Sequence, residues 1–137
     1  MKKQLLFAGT ILLFVASFTS CKKQDEATKP LKSKMIGKWQ VNKIDITTAG
    51  AETVTKTYAA SDYMDFKNNE TDDVELSLGA ERSLGTFNVT VGDVIYLNFT
   101  AKDLDCTLTT ITENKFQFTG TVVGSNPKIT ETYYLSR

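Results

Sequence analysis

From residue 37 onward, apolar and polar side chains alternate in short runs of period two, and no stretch carries the spacing of three and four that a long amphipathic helix needs. The pattern predicts an all-β domain. Its candidate strands are "KWQVNKIDITT", "ETVTKTYA", "YMDFKN", "DVELSL", "LGTFNVTV", "VIYLNFT", "CTLTTIT", "KFQFTGTVV" and "ITETYYLSR", joined by turn-like segments such as "TTAGAE", "KNNETDD", "GAERS", "AKDLD" and "GSNPK". Val74, Leu76 and Leu78 alternate with Glu75 and Ser77, and Ile95, Leu97 and Phe99 with Tyr96 and Asn98, so one face of each strand is expected to be buried.

The first strand keeps Trp39 and Val41 in phase and then shifts to Ile44 and Ile46, which predicts a β-bulge near Asn42 and Lys43. A long, bent first strand suits a closing sheet. Short connections without crossover helices favour an antiparallel up-and-down barrel of about eight or nine strands, because closure removes exposed edges; a β-sandwich is the alternative. Leu31, Met35 and Ile36 are spaced for one short helical turn before Gly37.

The start of the chain has a different pattern. Lys2 and Lys3 precede an apolar run over residues 5–18, followed by Thr19, Ser20 and Cys21, the layout of an export signal. The run is shorter than the roughly twenty apolar residues that a bilayer span needs. Its ending, Phe-Thr-Ser-Cys, resembles a bacterial lipobox, with Phe18 where leucine is usual. The resemblance implies cleavage before Cys21 and acylation of that cysteine, and acyl chains at roughly 0.8 kcal/mol per buried methylene make a stable anchor. Lys22 stands where an aspartate would signal inner-membrane retention, which implies an outer-membrane location on the periplasmic or cell-surface side. The organisation expected is therefore a signal peptide over 1–20, a lipidated flexible tether over 21–33 and a β-barrel domain over 34–137.

Acidic and basic residues balance at 16 each, leaving no surplus of positive charge to neutralise phosphates, so nucleic acid is not an expected partner. With Cys21 acylated, Cys106 has no disulfide partner; set among strand residues, it is expected to be a buried, inert thiol. Histidine is absent, so neither a Ser-His-Asp nor a Cys-His arrangement can be built, and no phosphate-binding or dinucleotide motif occurs. No enzyme activity and no cofactor are expected. The acidic stretch "DYMDFKNNETDDVE" lacks the spacing of a calcium loop and reads as a solvated hairpin.

"MIGKWQV" is the sharpest local motif. Gly37 two residues before Trp39, at the start of the first strand, resembles the Gly-x-Trp opening of lipocalins and related calycin barrels. The resemblance implies that the tryptophan packs at the closed end of the barrel beneath a basic residue from the last strand. Arg137, in phase with Tyr133 and Leu135, is the candidate cation. Together with the lipobox, these features look like a small lipocalin-like domain of a bacterial envelope lipoprotein, shorter than a full lipocalin and without recognisable second and third signature motifs. Two functions follow as expectations: binding of a small apolar ligand inside the barrel, or a non-catalytic interaction module contacting another envelope protein or a glycan. "TYYLSR" bears on the second, since at least one of Tyr133 and Tyr134 must point outward.

Overall fold

A computed structural model describes residues 28–137; Cys21 and the leader lie outside the described residues. A short helix α1 (Leu31–Met35) precedes nine strands: β1 (Gly37–Thr48), β2 (Val54–Thr57), β3 (Tyr63–Phe66), β4 (Asp73–Leu78), β5 (Glu81–Thr90), β6 (Val94–Phe99), β7 (Asp103–Ile111), β8 (Lys115–Val122) and β9 (Ile129–Ser136). From β3 to β9 every strand is antiparallel to the next, and β9 returns to pair with β1. Eight strands thus close into a barrel, not a sandwich, with β2 as an addition outside the ring.

The closure depends on how β1 is shared. One of its edges pairs with β9 from Gln40 to Thr48, while the other holds β3 along residues 37–40 and β2 along residues 43–46. The register shifts between Val41 and Lys43, leaving Asn42 as the extra residue. Without it, the period-two alternation that buries Trp39 and Val41 would turn Lys43 and Asp45 into the core. With it, Ile44 is buried instead. At the same point the Asn42 carbonyl accepts from Tyr58 N at 3.0 Å and Val41 N donates to the Asp62 carbonyl at 2.9 Å, so the segment between β2 and β3 bridges the change of partner. The buried Asp62 carboxylate holds that segment by accepting from Ala59 N and Gly79 N, both at 2.7 Å.

Two turns are tighter than the sequence predicts. "GAERS" contributes only Gly79 and Ala80 to the turn, because Glu81, Arg82 and Ser83 pair with Leu78, Ser77 and Leu76. "AKDLD" likewise gives Asp103, Leu104 and Asp105 to β7. Both runs are mostly polar strand ends, with Leu104 alone turned into the core, and composition by itself cannot tell them from loops. At the other boundary, Leu31 and Met35 are buried, so packing begins in α1, three residues before the domain start expected at residue 34.

The interior is filled. Trp39, Val41, Met64, Leu97, Phe116, Phe118 and Tyr133 are all at 0% exposure, whereas a cavity wide enough for water would leave its lining accessible. Aromatic rings run through the barrel: Trp39 to Phe116 at 5.4 Å, Phe116 to Phe118 at 5.0 Å, and Phe118 stacked on Tyr133 at 4.9 Å. Each such pair contributes about 0.5–1.5 kcal/mol beyond its burial.

The closed end is locked by Arg137. Its Cζ lies 3.9 Å from the Trp39 ring centre, while Nε donates to the Glu113 carbonyl and Nη1 to the Ile36 carbonyl, both at 2.9 Å. Trp39 Nε1 donates to the Met35 carbonyl at 2.8 Å, so α1, β1 and the end of β9 meet at one indole. Gly37 completes the arrangement: its φ is 114°, and a Cβ there would stand 3.1 Å from Arg137 Nη1. Replacing Gly37 by alanine is accordingly expected to lower the unfolding free energy by about 1–3 kcal/mol. Urea denaturation checks this, and a variant as stable as the parent chain would refute the lock.

Candidate functional site

Six places hold chemistry-bearing residues, and five of them are occupied by their own contacts. Gly37, Trp39 and Arg137 form the structural lock just described, with the guanidinium engaged by an indole and main-chain carbonyls. Cys106 is 1% exposed, and burial pushes its thiol up to about 12, so it stays protonated and without nucleophilic character at neutral pH. In the acidic hairpin, Asn69 Oδ1 accepts from Asp73 N at 3.0 Å and Lys32 pairs with Asp72 at 2.7 Å. Among the described residues no three His, Cys, Asp or Glu side chains converge as metal ligands.

The far end of the barrel is sealed by a carboxylate that the sequence reading missed. Glu131 shares the inward phase of Tyr133 and Leu135, and both of its oxygens accept from Lys102 Nζ at 2.6 Å. Tyr133 Oη donates to Glu131 Oε2 at 2.5 Å. The Tyr133 hydroxyl is pushed well above its ordinary range, first by burial and then by the Glu131 charge, and therefore remains a donor. A buried carboxylate is tolerated because each oxygen is bonded. Its signal in the sequence was its spacing of two from Tyr133.

Charges on the outer wall of β3, β4 and β5 also neutralise one another. Arg82 donates to Glu75 Oε2 at 2.7 Å, Tyr63 donates to Glu75 Oε1, and Lys67 pairs with Asp65. These contacts, led by Arg82 and then Tyr63, lower the Glu75 carboxyl from 4.5 to about 2.

The opposite wall is different. A groove of about 560 Å³ runs over β8, β9, β1 and β2. Its floor is one cross-strand row, in which Gln117 faces Tyr134, Tyr134 faces Lys43 and Lys43 faces Thr57. Asn42, Ser136, Asn114 and Lys115 line it toward the closed end, and Asn42 Nδ2 donates to Ser136 Oγ at 3.0 Å. The bulge contributes to this arrangement, because the extra residue re-aims Asn42 so that it lines the groove beside Lys43.

Tyr134 is held as a rigid platform. Lys43 Nζ lies 4.1 Å from its ring centre, and the neighbouring Asp45 carboxylate raises the phenol above its ordinary value. Asp45 in turn accepts from Thr55 Oγ1 at 2.6 Å, the leading cause of its lowered carboxyl. The next row continues the hydroxyl surface, with Thr119 and Thr132 bonded at 2.9 Å. A fixed aromatic ring amid amides and hydroxyls can stack on one face of a sugar while donating to and accepting from its hydroxyls. Sequence reasoning placed a tyrosine of the Tyr133–Tyr134 pair outside and the bulge at Asn42 and Lys43, but it did not bring in Gln117, Thr57 or Lys115.

No family model matches this chain, and no curated protein does. Among solved structures it is similar to a redesigned beta barrel, at 20% identity over 77% of this chain and 93% of that one, with a TM-score of 0.48.

The Glu75 network sets an expectation for pH. A carboxyl lowered by folding contributes stability that is fully present above its unfolded value of about 4.5 and is lost as pH falls toward about 2. Glu75→Gln is therefore expected to be less stable than the parent at neutral pH and to flatten the decline between those two values. Thermal melts across that range check it; parallel acid limbs would remove Glu75 as the cause.

Proposed function

We propose that the protein is a lipid-anchored protein of the cell envelope, held at the outer membrane through acyl chains on Cys21, whose barrel is a non-catalytic module that binds a glycan in its outer groove. The observation that carries this reading is the filled interior: seven side chains at the centre have no exposed surface, so an apolar ligand inside the barrel would have to displace Trp39, Phe116, Phe118 or Tyr133. Recognition is then left to the outer wall. There the groove supplies volume, a fixed ring at Tyr134 and a mostly apolar surface on which a few amides and hydroxyls converge. Binding sites of this size place a few convergent polar groups around an apolar contact.

The placement at the membrane rests on the lipobox-like sequence ending at Cys21 and on the polar residues that follow it. The reading of no catalysis rests on the lack of histidine and on Cys106, whose thiol is buried and protonated. Tyr134→Ala is expected to leave membrane attachment intact and abolish co-sedimentation of the full chain with envelope polysaccharide from the producing cells. Cys21→Ala is expected to remove palmitate labelling and release the protein from membranes. Undiminished labelling in the second variant would sink the anchor; undiminished co-sedimentation in the first would sink the groove.

A further inference from the structure

We infer that the saccharide held by the outer groove is an acidic one, carrying carboxylates of the uronate type, with Lys43 and Lys115 as the cations that bind them. The inference rests on the reading of the groove as a glycan site and adds the charge class of the ligand. Two ammonium groups line the groove and no carboxylate does. That composition is not general to this surface: the wall of β3, β4 and β5 carries acids and bases in mutual contact.

Lys43 is held only loosely by its own acid. Its contact to Asp45 Oδ2 is 3.4 Å, whereas the other ion pairs among the described residues are 2.7 Å or shorter. Asp45 is already engaged by the hydroxyl of Thr55, which donates to its Oδ1 at 2.6 Å. Lys43 instead rests over the Tyr134 ring, with its side chain 39% exposed and its ammonium at the groove floor. Lys115 makes no ion pair among the described residues and is exposed at the groove's end toward α1.

An acidic sugar satisfies all of these groups at once. Its ring face lies against the side of Tyr134 that Lys43 does not cover, its hydroxyls meet Gln117, Asn114 and Thr57, and its carboxylate takes the second contact that Asp45 does not give Lys43. A second carboxylate, on a neighbouring residue of the chain, reaches Lys115. A neutral sugar would leave Lys115 without a counter-charge and Lys43 with only its long contact to Asp45, and would displace water from both for no return.

Affinity electrophoresis of the full chain through native gels containing alginate, polygalacturonate or hyaluronan, against gels containing starch or galactomannan, tests the inference. Retardation in at least one acidic polymer and not in the neutral ones is expected. Lys115→Gln should weaken it about tenfold, the scale of one charge-assisted hydrogen bond. Lys43→Gln with Lys115→Gln should abolish it, and Lys128→Gln, outside the groove, should leave it unchanged. Thermal melts confirm that each variant folds. Retardation by neutral polymers as strongly as by acidic ones, lost in Tyr134→Ala, would overturn the acidic class and keep the groove as a glycan site. A loss in Lys128→Gln equal to that in Lys115→Gln would overturn it as a general charge effect. Retardation in no gel, or retardation indifferent to Tyr134, would overturn both readings.

Discussion

One extra residue in β1 sets the architecture. A strand of this length cannot face the core with Trp39 and Val41 at one end and Ile44 and Ile46 at the other unless its alternation is interrupted, and Asn42 provides the interruption. The bend lets β1 meet β9 along its length while its other edge passes from β3 to β2. The same residue keeps Lys43 and Asp45 on the outside, where they fix Tyr134. Closure of the barrel and shape of the groove therefore share a single cause.

The filled interior and the decorated exterior are two sides of one allocation of side chains. Small barrels are wide enough for their own interior residues or for a ligand, and here large rings take the space. Packing of Trp39, Phe116, Phe118 and Tyr133 gives stability and uniqueness without a disulfide, since the one described cysteine is a free, buried thiol. Even the polar group inside, Glu131, is closed off by Lys102 and Tyr133, and no buried side-chain nitrogen or oxygen among the described residues lacks a partner.

Much of this was legible in the sequence because a half-buried strand writes its faces in alternation. The nine strands, the bulge, the helical turn before Gly37 and the outward turn of one tyrosine in the Tyr133–Tyr134 pair were readable in this way. β2 read as an ordinary strand, yet Val54, Thr55, Lys56 and Thr57 are all exposed and lie outside the closed ring. Their β-branched composition fits any pleated surface, and nothing local in them says which edge they join. The groove was illegible for a related reason. Gln117, Tyr134, Lys43 and Thr57 become neighbours only through the registers of four strands, and register across distant strands follows from the closed fold as a whole.

The pairing of β1 with β9 also fixes an order of events. Asn42 and Ser136, hydrogen-bonded at the seam, are 94 residues apart in the chain. As the polypeptide emerges from its N-terminal side, β1 acquires β2 almost at once, by a local hairpin, and then waits for β9 with its other edge bare. Contacts of such long separation form late and leave a strand edge open to foreign chains in the interval. Until β9 pairs, that edge is flanked only by the side chains of β1 itself, such as Asn42 and Lys43, and the groove comes into existence in the same step that covers the edge.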